Sequence, residues 1–589
     1  MKSARFWVPV SVGLVLIGVL VGGGFVAKHL YDQAMSAKGD LEQAFPLVTE
    51  VEKSMLAGDV PSAQATAARI AALTTSAAKK TDTPLWHGVE WVPFAGPNLA
   101  AVRIAADSAD TLATDVLTPL TSVSLDALLP KDGAFDTAQL DSLATLVGNA
   151  SQRIEGVRTD LGTIDQGALI PQVSTGVSSL TAALDKIDPY LTPVHNALTL
   201  LPKALGAETP RNYLLLFQNN AESRGTGGNP ASIAMLTADH GAISMTQQAS
   251  SQDFTNGRPA PIIPLDPQTE ALYGTKIARY IQDTTLSPDF GETAAIVRAF
   301  WAESYGTPID AVASIDPVAL AYILQAIGPV QLPTGETLTA DNAIPLLLNE
   351  VYTLYPEPAD QDVFFAGAAG AVFNALLHQT TDPKALLDVL AKAAGEGRLL
   401  YSPSDPAEAA IIAGSPVSGT LPDSNADATA MGVYVNDVTE GKLDYYMQLD
   451  IAADSTQCQA GTEAPTFGIT ATLTNTLTPE QAPGLAPYVS PGRFYTKGTV
   501  ATDLVLYGPI GAEATAVTVN GNPVEFSTLP HLGRTALKVN LETPPGQSAQ
   551  VGVTYQGGNG AYGPLEVRHT PMVRATPVAL TAEGCGAKG

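Results

Sequence analysis

The apolar pattern changes twice along the chain, and those two changes limit the folds open to it. From 28 to about 205, apolar residues recur at helical spacing among Ala, Leu, Thr and Ser. Around Thr209, short apolar runs begin to alternate with helical stretches. Beyond 428, short β-type runs follow one another with turn signals between them. No single-layer design accommodates all three patterns. The expected class is multidomain, with an N-terminal transmembrane helix, an α-helical bundle or stalk, an α/β core and a C-terminal immunoglobulin-like β-sandwich. The expected boundaries are 1–5 for a cytoplasmic tail, 6–27 for the anchor, 28–205 for the stalk, 206–400 for the core, 401–427 for a linker and 428–589 for the sandwich.

The anchor is expected because Phe6 to Ala27 carries no charge and is long enough, as a helix, for a roughly 30 Å hydrocarbon layer. Lys2 and Arg5 precede it, which places the short end inside and the bulk of the chain outside the cell at the plasma membrane. The competing reading is a cleaved signal peptide, whose apolar core is shorter and ends in small residues. Gly18 and Gly22 form a small-xxx-small pair suited to packing two anchors into a homodimer.

Composition removes several function classes. With 31 Lys and Arg against 58 Asp and Glu, the formal charge is −27, and a phosphate backbone would be repelled. No nucleic-acid partner is expected. Two cysteines exclude a disulfide-dense scaffold and a Cys-built metal site. Both, Cys458 and Cys585, fall in the β region, and outside the cytoplasm they are candidates to pair.

In the helical part, helices are expected over Ser62 to Lys80, Asn98 to Leu117, Asp136 to Asp160 and Val173 to Leu200. Trp86, Trp91 and Phe94 lie in the main break. They read either as a lipid-facing tip or as a staple between helices, and the staple is favoured because aromatics beside breaks usually pack. In the core, strands are expected at Arg211 to Phe217, Ser232 to Thr237, Ala242 to Met245 and Ala311 to Ile315. Helices are expected over Phe290 to Tyr305 and from Pro317 to Ile327.

One dense polar cluster follows the first core strand, from Gln218 to Pro230. Loops at the carboxyl ends of α/β strands are where such sheets bind ligands. Asn219, Asn220, Glu222, Arg224, Thr226, Gly227 and Gly228 together suit a phosphorylated ligand, because backbone N–H groups and an arginine fork both favour anions. An equally open reading is a tight loop closed by a Glu222–Arg224 pair. Asp253, Asp289, Asp310 and Asp316 are oxygen donors of the kind Mg²⁺ takes, although a helix cap or solvated loop is favoured for each alone. Searches for H-E-x-x-H, G-x-S-x-G, a phosphate loop and C-x-x-C are empty. The G-x-G-x-x-G at Gly558 to Gly563 runs into Pro564 and not into a helix.

The stretch Tyr213 to Gly228, Y-L-L-L-F-Q-N-N-A-E-S-R-G-T-G-G, resembles the signature of the family called domain of unknown function 4012. Pro84-Leu85-Trp86, Val92 to Leu99, Ser287 to Phe290, Ile315 to Leu320, Val435-Asn436-Asp437 and Asp444-Tyr445-Tyr446 fit the same family. The resemblance implies a single-span, extracytoplasmic envelope protein and leaves its activity open. More distantly, the order of core elements is similar to the LytR–CpsA–Psr phosphotransferases, which move glycopolymers from polyprenyl-pyrophosphate carriers onto the cell wall. That likeness implies catalytic roles for Arg224 and Asp253, Mg²⁺ at Asp253 and Asp289, and supporting charge from Lys276 and Arg279. Gln252 stands where those enzymes carry a second arginine.

Two functions are therefore expected in parallel. One is binding or transfer of a lipid-linked phosphorylated glycan at the Asn219–Gly228 loop. The other is a non-enzymatic envelope scaffold whose β domain binds a protein or polysaccharide.

Overall fold

The computed structural model describes residues 7–122, 128–379, 381–426, 428–455, 464–558 and 560–582, with the side chains of 7–24, 56 and 187–192 left out. Cys458 and Cys585, and with them their expected pairing, lie outside the described residues. The chain divides into two compact units, Met1–Leu129 with Asp136–Lys203, and Pro130–Phe135 with Ala204–Gly589.

The first unit is helical. Its main helices are Trp7–Leu56, Val60–Thr81, Gly96–Thr111, Thr137–Gly162 and Pro171–Ala204. Asp59 starts the second by accepting from the Ser62 N–H at 3.1 Å, with Pro61 in the first turn, where no N–H is missed. Alanines let the helices approach closely, and Ala37, Ala77 and Ala106 form one fully buried cluster.

Among the described residues, no helix is long and apolar enough to cross a membrane. The spanning helix expected at 6–27 is corrected accordingly. The apolar run is not a separate element. It opens a 50-residue helix, Trp7–Leu56, whose later turns bury Ala44, Leu47 and Val51 in the bundle. Gly18 and Gly22 fall in the part of that helix whose side chains lie outside the described set.

The second unit holds all the named sheets. Its strands are β1 Arg211–Arg224, β2 Gly227–Asp239, β3 Ala242–Ser250, β4 Ala311–Ile315, β5 Val330–Gln331, β6 Thr337–Leu338 and β7 Leu399–Pro403. They continue with β8 Thr429–Asp437, β9 Met447–Ser455, β10 Thr466–Asn475, β11 Val500–Ile510, β12 Glu513–Val519, β13 Asn522–Pro523, β14 Leu529–His531, β15 Arg534–Thr543, β16 Ser548–Gln556, β17 Leu565–His569 and β18 Val578–Ala582.

The α/β layer is a mixed sheet in the order β3-β2-β1-β4-β7, in which only the β1–β4 pair is parallel. The β2–β3 hairpin turns at His240 and Gly241, both at positive φ, as a tight two-residue turn requires. Helix Phe290–Tyr305 covers this sheet with Phe290, Ile296, Phe300 and Trp301, all fully buried beside Leu214, Leu216 and Val312. Segment 401–427, expected as a linker with a short helix around Ala407 to Ala413, carries the end of β7 and the helix Pro406–Ile412.

The β part is two facing sheets, β13-β12-β16-β10-β9-β18 and β14-β15-β11-β8-β17. Alternate residues of both, such as Val433 and Leu504 on one and Ile469 and Val551 on the other, share a single core. The pairs β8–β17 and β9–β18 are parallel, so these two facing sheets, where an immunoglobulin-like sandwich is expected, are not antiparallel throughout as immunoglobulin sheets are. Tyr434, Val505, Tyr507 and Ala536 of the sandwich join the core of the α/β layer. The two layers are thus packed as one body.

Arg211, at the start of β1, donates to Glu408 through Nη1 at 2.6 Å and Nη2 at 3.0 Å, with both side chains buried. Removing one partner of such a pair leaves an uncompensated charge. Glu408→Ala should lower stability by about 3 kcal/mol in urea unfolding. A loss below about 0.5 kcal/mol would show that the 406–412 helix is not held by this pair.

Candidate functional site

The polar tail of β1 is strand, not loop. A register shift after Asn219 lets Asn220 to Glu222 bulge before pairing resumes at Ser223 with Gly228. Bulges re-aim side chains, and here each polar residue meets a partner from far along the chain. Asn219 Nδ2 donates to the Tyr352 hydroxyl at 2.6 Å. Asn220 Nδ2 donates to Asp316 Oδ2 at 2.7 Å, and Arg398 Nη1 donates to the same oxygen at 2.6 Å. Gln218 Oε1 accepts from Thr226 Oγ1 at 3.1 Å and from the Gly228 N–H at 2.9 Å. A Cβ on Gly228 would sit 2.2 Å from the Asn219 carbonyl oxygen, so the close approach of the two strands requires glycine there.

Glu222 is the centre of the cluster. Arg224 Nη2 donates to its Oε1 at 2.8 Å, Asn229 Nδ2 to its Oε2 at 3.0 Å, and Lys442 Nζ to Oε2. Burial alone would raise its pKa, but Lys442 and Arg224 outweigh burial and hold it down at about 2. Arg224 also donates from Nη1 to the carbonyls of Ser223 and Asp437, at 2.9 and 3.1 Å, and from Nη2 to Asp283 Oδ1 at 3.4 Å. The Glu222–Arg224 pair therefore forms, and together with Ser223, Asp437 and Asp283 it engages both terminal nitrogens of the arginine fork.

Two further buried carboxylates come from the sandwich. Asp437 Oδ1 accepts from the Thr439 N–H at 2.7 Å, and Asp444 Oδ2 from the Ser223 N–H at 2.8 Å. Burial raises both pKa values, Asp437 to about 6 and Asp444 to about 8, and the neighbouring Asp437 charge adds to the rise at Asp444.

A cleft of about 1000 Å³ opens beside this cluster within the second unit. Asn219, Glu222, Arg224, Asp253 and Lys276 of the expected set line it, whereas Asn220, Thr226, Gly227, Gly228, Arg279 and Asp289 do not. Its cations are Arg224, Lys276, Lys442 and Arg493. Its carboxylates are Glu222, Asp253, Asp283, Asp316, Asp362, Asp437 and Glu440. Carboxylates outnumber cations, so the wall does not favour a polyanion.

Asp253 Oδ2 accepts from the Ser250 N–H at 2.7 Å in a capping box. Asp289 caps helix Phe290–Tyr305 by accepting from Gly291 and Glu292. Asp316 caps helix Pro317–Ile327 by accepting from the Ala319 N–H at 2.7 Å. Asp310 Oδ2 accepts from the Asn212 N–H at 2.8 Å. Among the described residues, no group of three or more His, Cys, Asp or Glu is placed to hold a metal ion. Of the two aspartates expected to take Mg²⁺, Asp253 lines the cleft and Asp289 does not, and each accepts backbone N–H bonds as a cap. Arg279 donates from Nε to the Arg258 carbonyl and lies beside the Tyr280 ring.

Among the described residues, three that line the cleft each carry a fully buried oxygen without a hydrogen-bond partner, namely Asn229 Oδ1, Gln282 Oε1 and Asp437 Oδ2. One wall donor, Arg224 Nε, is likewise unpartnered. Tyr280 and Tyr488 line the same cleft with part of each ring exposed, and Tyr488 stacks on Tyr352 at 5.1 Å between centroids. Lys442, Asp437, Asp444, Gln282 and Tyr488 are not among the residues expected from sequence.

A family model described as "Protein of unknown function (DUF4012)" matches residues 208–352, which supports that family for the stretch from β1 to Tyr352. No curated protein matches the chain. A crystal structure of a "putative nutrient binding protein" from Legionella pneumophila aligns with 13% identity and a TM-score of 0.15. The alignment covers 22% of this chain and 44% of that one, less than half of that protein's length, and carries no argument about fold or function. Nothing in these comparisons shows a likeness to LytR–CpsA–Psr enzymes.

The buried carboxylates give a signed pH dependence. A carboxyl whose folded pKa is raised binds protons more tightly folded than unfolded, so stability falls as pH climbs from about 4 towards 8. Glu222 acts oppositely, contributing stability above its ordinary pKa and losing it as pH falls towards 2. Asp444→Asn should therefore gain melting temperature relative to wild type at pH 8 and gain less at pH 5. An equal difference at both pH values in thermal melts would contradict the assignment.

Proposed function

We propose that the protein is a binding factor for a glycan, held in the cleft beside Glu222. The observation that carries this is the polar, carboxylate-rich lining of the cleft, with Asn229, Gln248, Gln252 and Gln282 beside Asp253 and Asp362. Amide side chains both donate and accept, and carboxylates accept. Sugar hydroxyls, which do both, can meet such a set. A phosphate group only accepts, and it would meet a wall with more carboxylates than cations. Tyr280 and Tyr488, partly exposed on the lining, add the aromatic surface that packs against the C–H groups of a sugar ring.

This reading keeps the glycan of the sequence-based expectation and moves recognition from the phosphate to the sugar. Transfer of a pyrophosphate-linked glycan is less well served. Arg224 is spent on Glu222, Asp283 and two carbonyls, and Gln252 offers no bidentate fork. An envelope location and the lipid carrier stay part of the proposal as the ligand's source.

The test is calorimetric titration of the full chain with galactan, arabinan and N-acetylglucosamine oligosaccharides, with inorganic pyrophosphate plus Mg²⁺ in parallel. At least one oligosaccharide should bind, and Gln282→Leu should weaken it about tenfold, the loss of roughly one hydrogen bond. Tight pyrophosphate binding with no oligosaccharide binding would contradict the proposal.

A further inference from the structure

The main break of the helical bundle separates its aromatics by role. Trp86 is fully buried, and its indole N–H donates to the Leu99 carbonyl at 2.9 Å, so it is the staple. Trp91 and Phe94 do not pack. They are 80% and 92% exposed. Ile170 is also exposed, and Asn98 ties its loop to theirs by accepting from the Ile170 N–H at 2.8 Å while donating to the carbonyls of Phe94 and Ala168. The result is one convex apolar tip made from two clasped loops.

The same end of the bundle carries more apolar surface. Lys80 pairs with Asp40 at 2.5 Å, so the end of the second helix lies beside the middle of the first. The first helix passes that point in its earlier turns, where Phe25 and Tyr31 are exposed.

Three facts fix the chemistry of what this tip meets. Phe94 sits at φ 67°, a conformation that a bulky side chain adopts only under constraint. Its exposure means that the constraint is not offset by packing. Second, the Trp91 indole N–H is already satisfied, donating to the Gly88 carbonyl at 2.8 Å. The ring can therefore leave water without stranding a donor. Third, the arginine near the tip is taken up internally, Arg103 donating to Glu90 at 2.6 Å, while Asp82 holds the His87 ring at 2.7 Å and Asp165 accepts from the Gly167 N–H at 3.0 Å. The tip presents no basic cluster for an anionic surface and asks for no hydrogen bond from a partner.

We infer that the Trp91–Phe94 tip inserts at the headgroup boundary of a zwitterionic lipid bilayer. Convex apolar side chains with satisfied donors fit a surface that yields around them, where a folded protein partner would have to supply a matching pocket. This contact is peripheral and requires no spanning helix.

Phosphatidylcholine vesicles with brominated acyl chains test it on the full chain. Wild-type tryptophan emission should contain a quenched component that Trp91→Phe removes. Phe94→Gly should reduce that component several-fold while leaving the melting temperature unchanged or raised, because glycine accepts positive φ. Quenching identical in wild type and Trp91→Phe would overturn the inference. So would lipid-independent self-association that both substitutions abolish, because the occupant would then be a second copy of the chain.

Discussion

Glu222 is a buried carboxylate kept ionised by donors from three different parts of the second unit. Arg224 comes from β1, Asn229 from β2 and Lys442 from the segment between β8 and β9. Charges taken out of water are stable only when fully paired. Lys442 can reach its partner only if the sandwich is seated on the α/β layer, so the pair makes the cleft a property of the assembled unit. The second clamp works the same way. Arg398 joins Asp316, at the start of a helix, to Glu396 and to the Met572 carbonyl near the end of the chain.

This arrangement separates positioning from recognition. Glu222 and Arg224, which look most like ligand-binding residues in the sequence, are consumed in holding two layers together. What remains for a ligand is a rim of amide, carboxylate and tyrosine side chains with Lys276 and Arg493. Such a wall, with carboxylates in excess, favours a neutral, hydroxyl-rich molecule over a polyanion.

Local pattern makes much of the fold readable. Ser287-Pro288-Asp289 marks the start of helix Phe290–Tyr305, and Asp289 is its cap. Pro317 opens the next helix after Asp316, again as a cap. The tail of β1 reads as a loop in the sequence because Gln218 to Arg224 are all polar or small. Their partners, Asp316, Tyr352 and Asp444, lie between 96 and 221 residues away, and no local rule finds them. The apolar run at 6–27 suggests a span by its own length, whereas the helix it begins continues to Leu56. Cleft residues Gln282 and Lys442 carry no sequence signal at all. Their importance comes from burial and from what they lack or reach.

The most direct measurement of the central claim is a crystal structure of the full chain grown with the oligosaccharide that binds most tightly. Sugar hydroxyl oxygens should lie within hydrogen-bond distance of the amide and carboxylate side chains of the cleft wall, Gln282 among them, with the Glu222–Lys442 and Glu222–Arg224 pairs unbroken. Density for the sugar away from that wall, or a ligand that displaces Arg224 from Glu222 to claim its guanidinium, would contradict glycan recognition by the cleft.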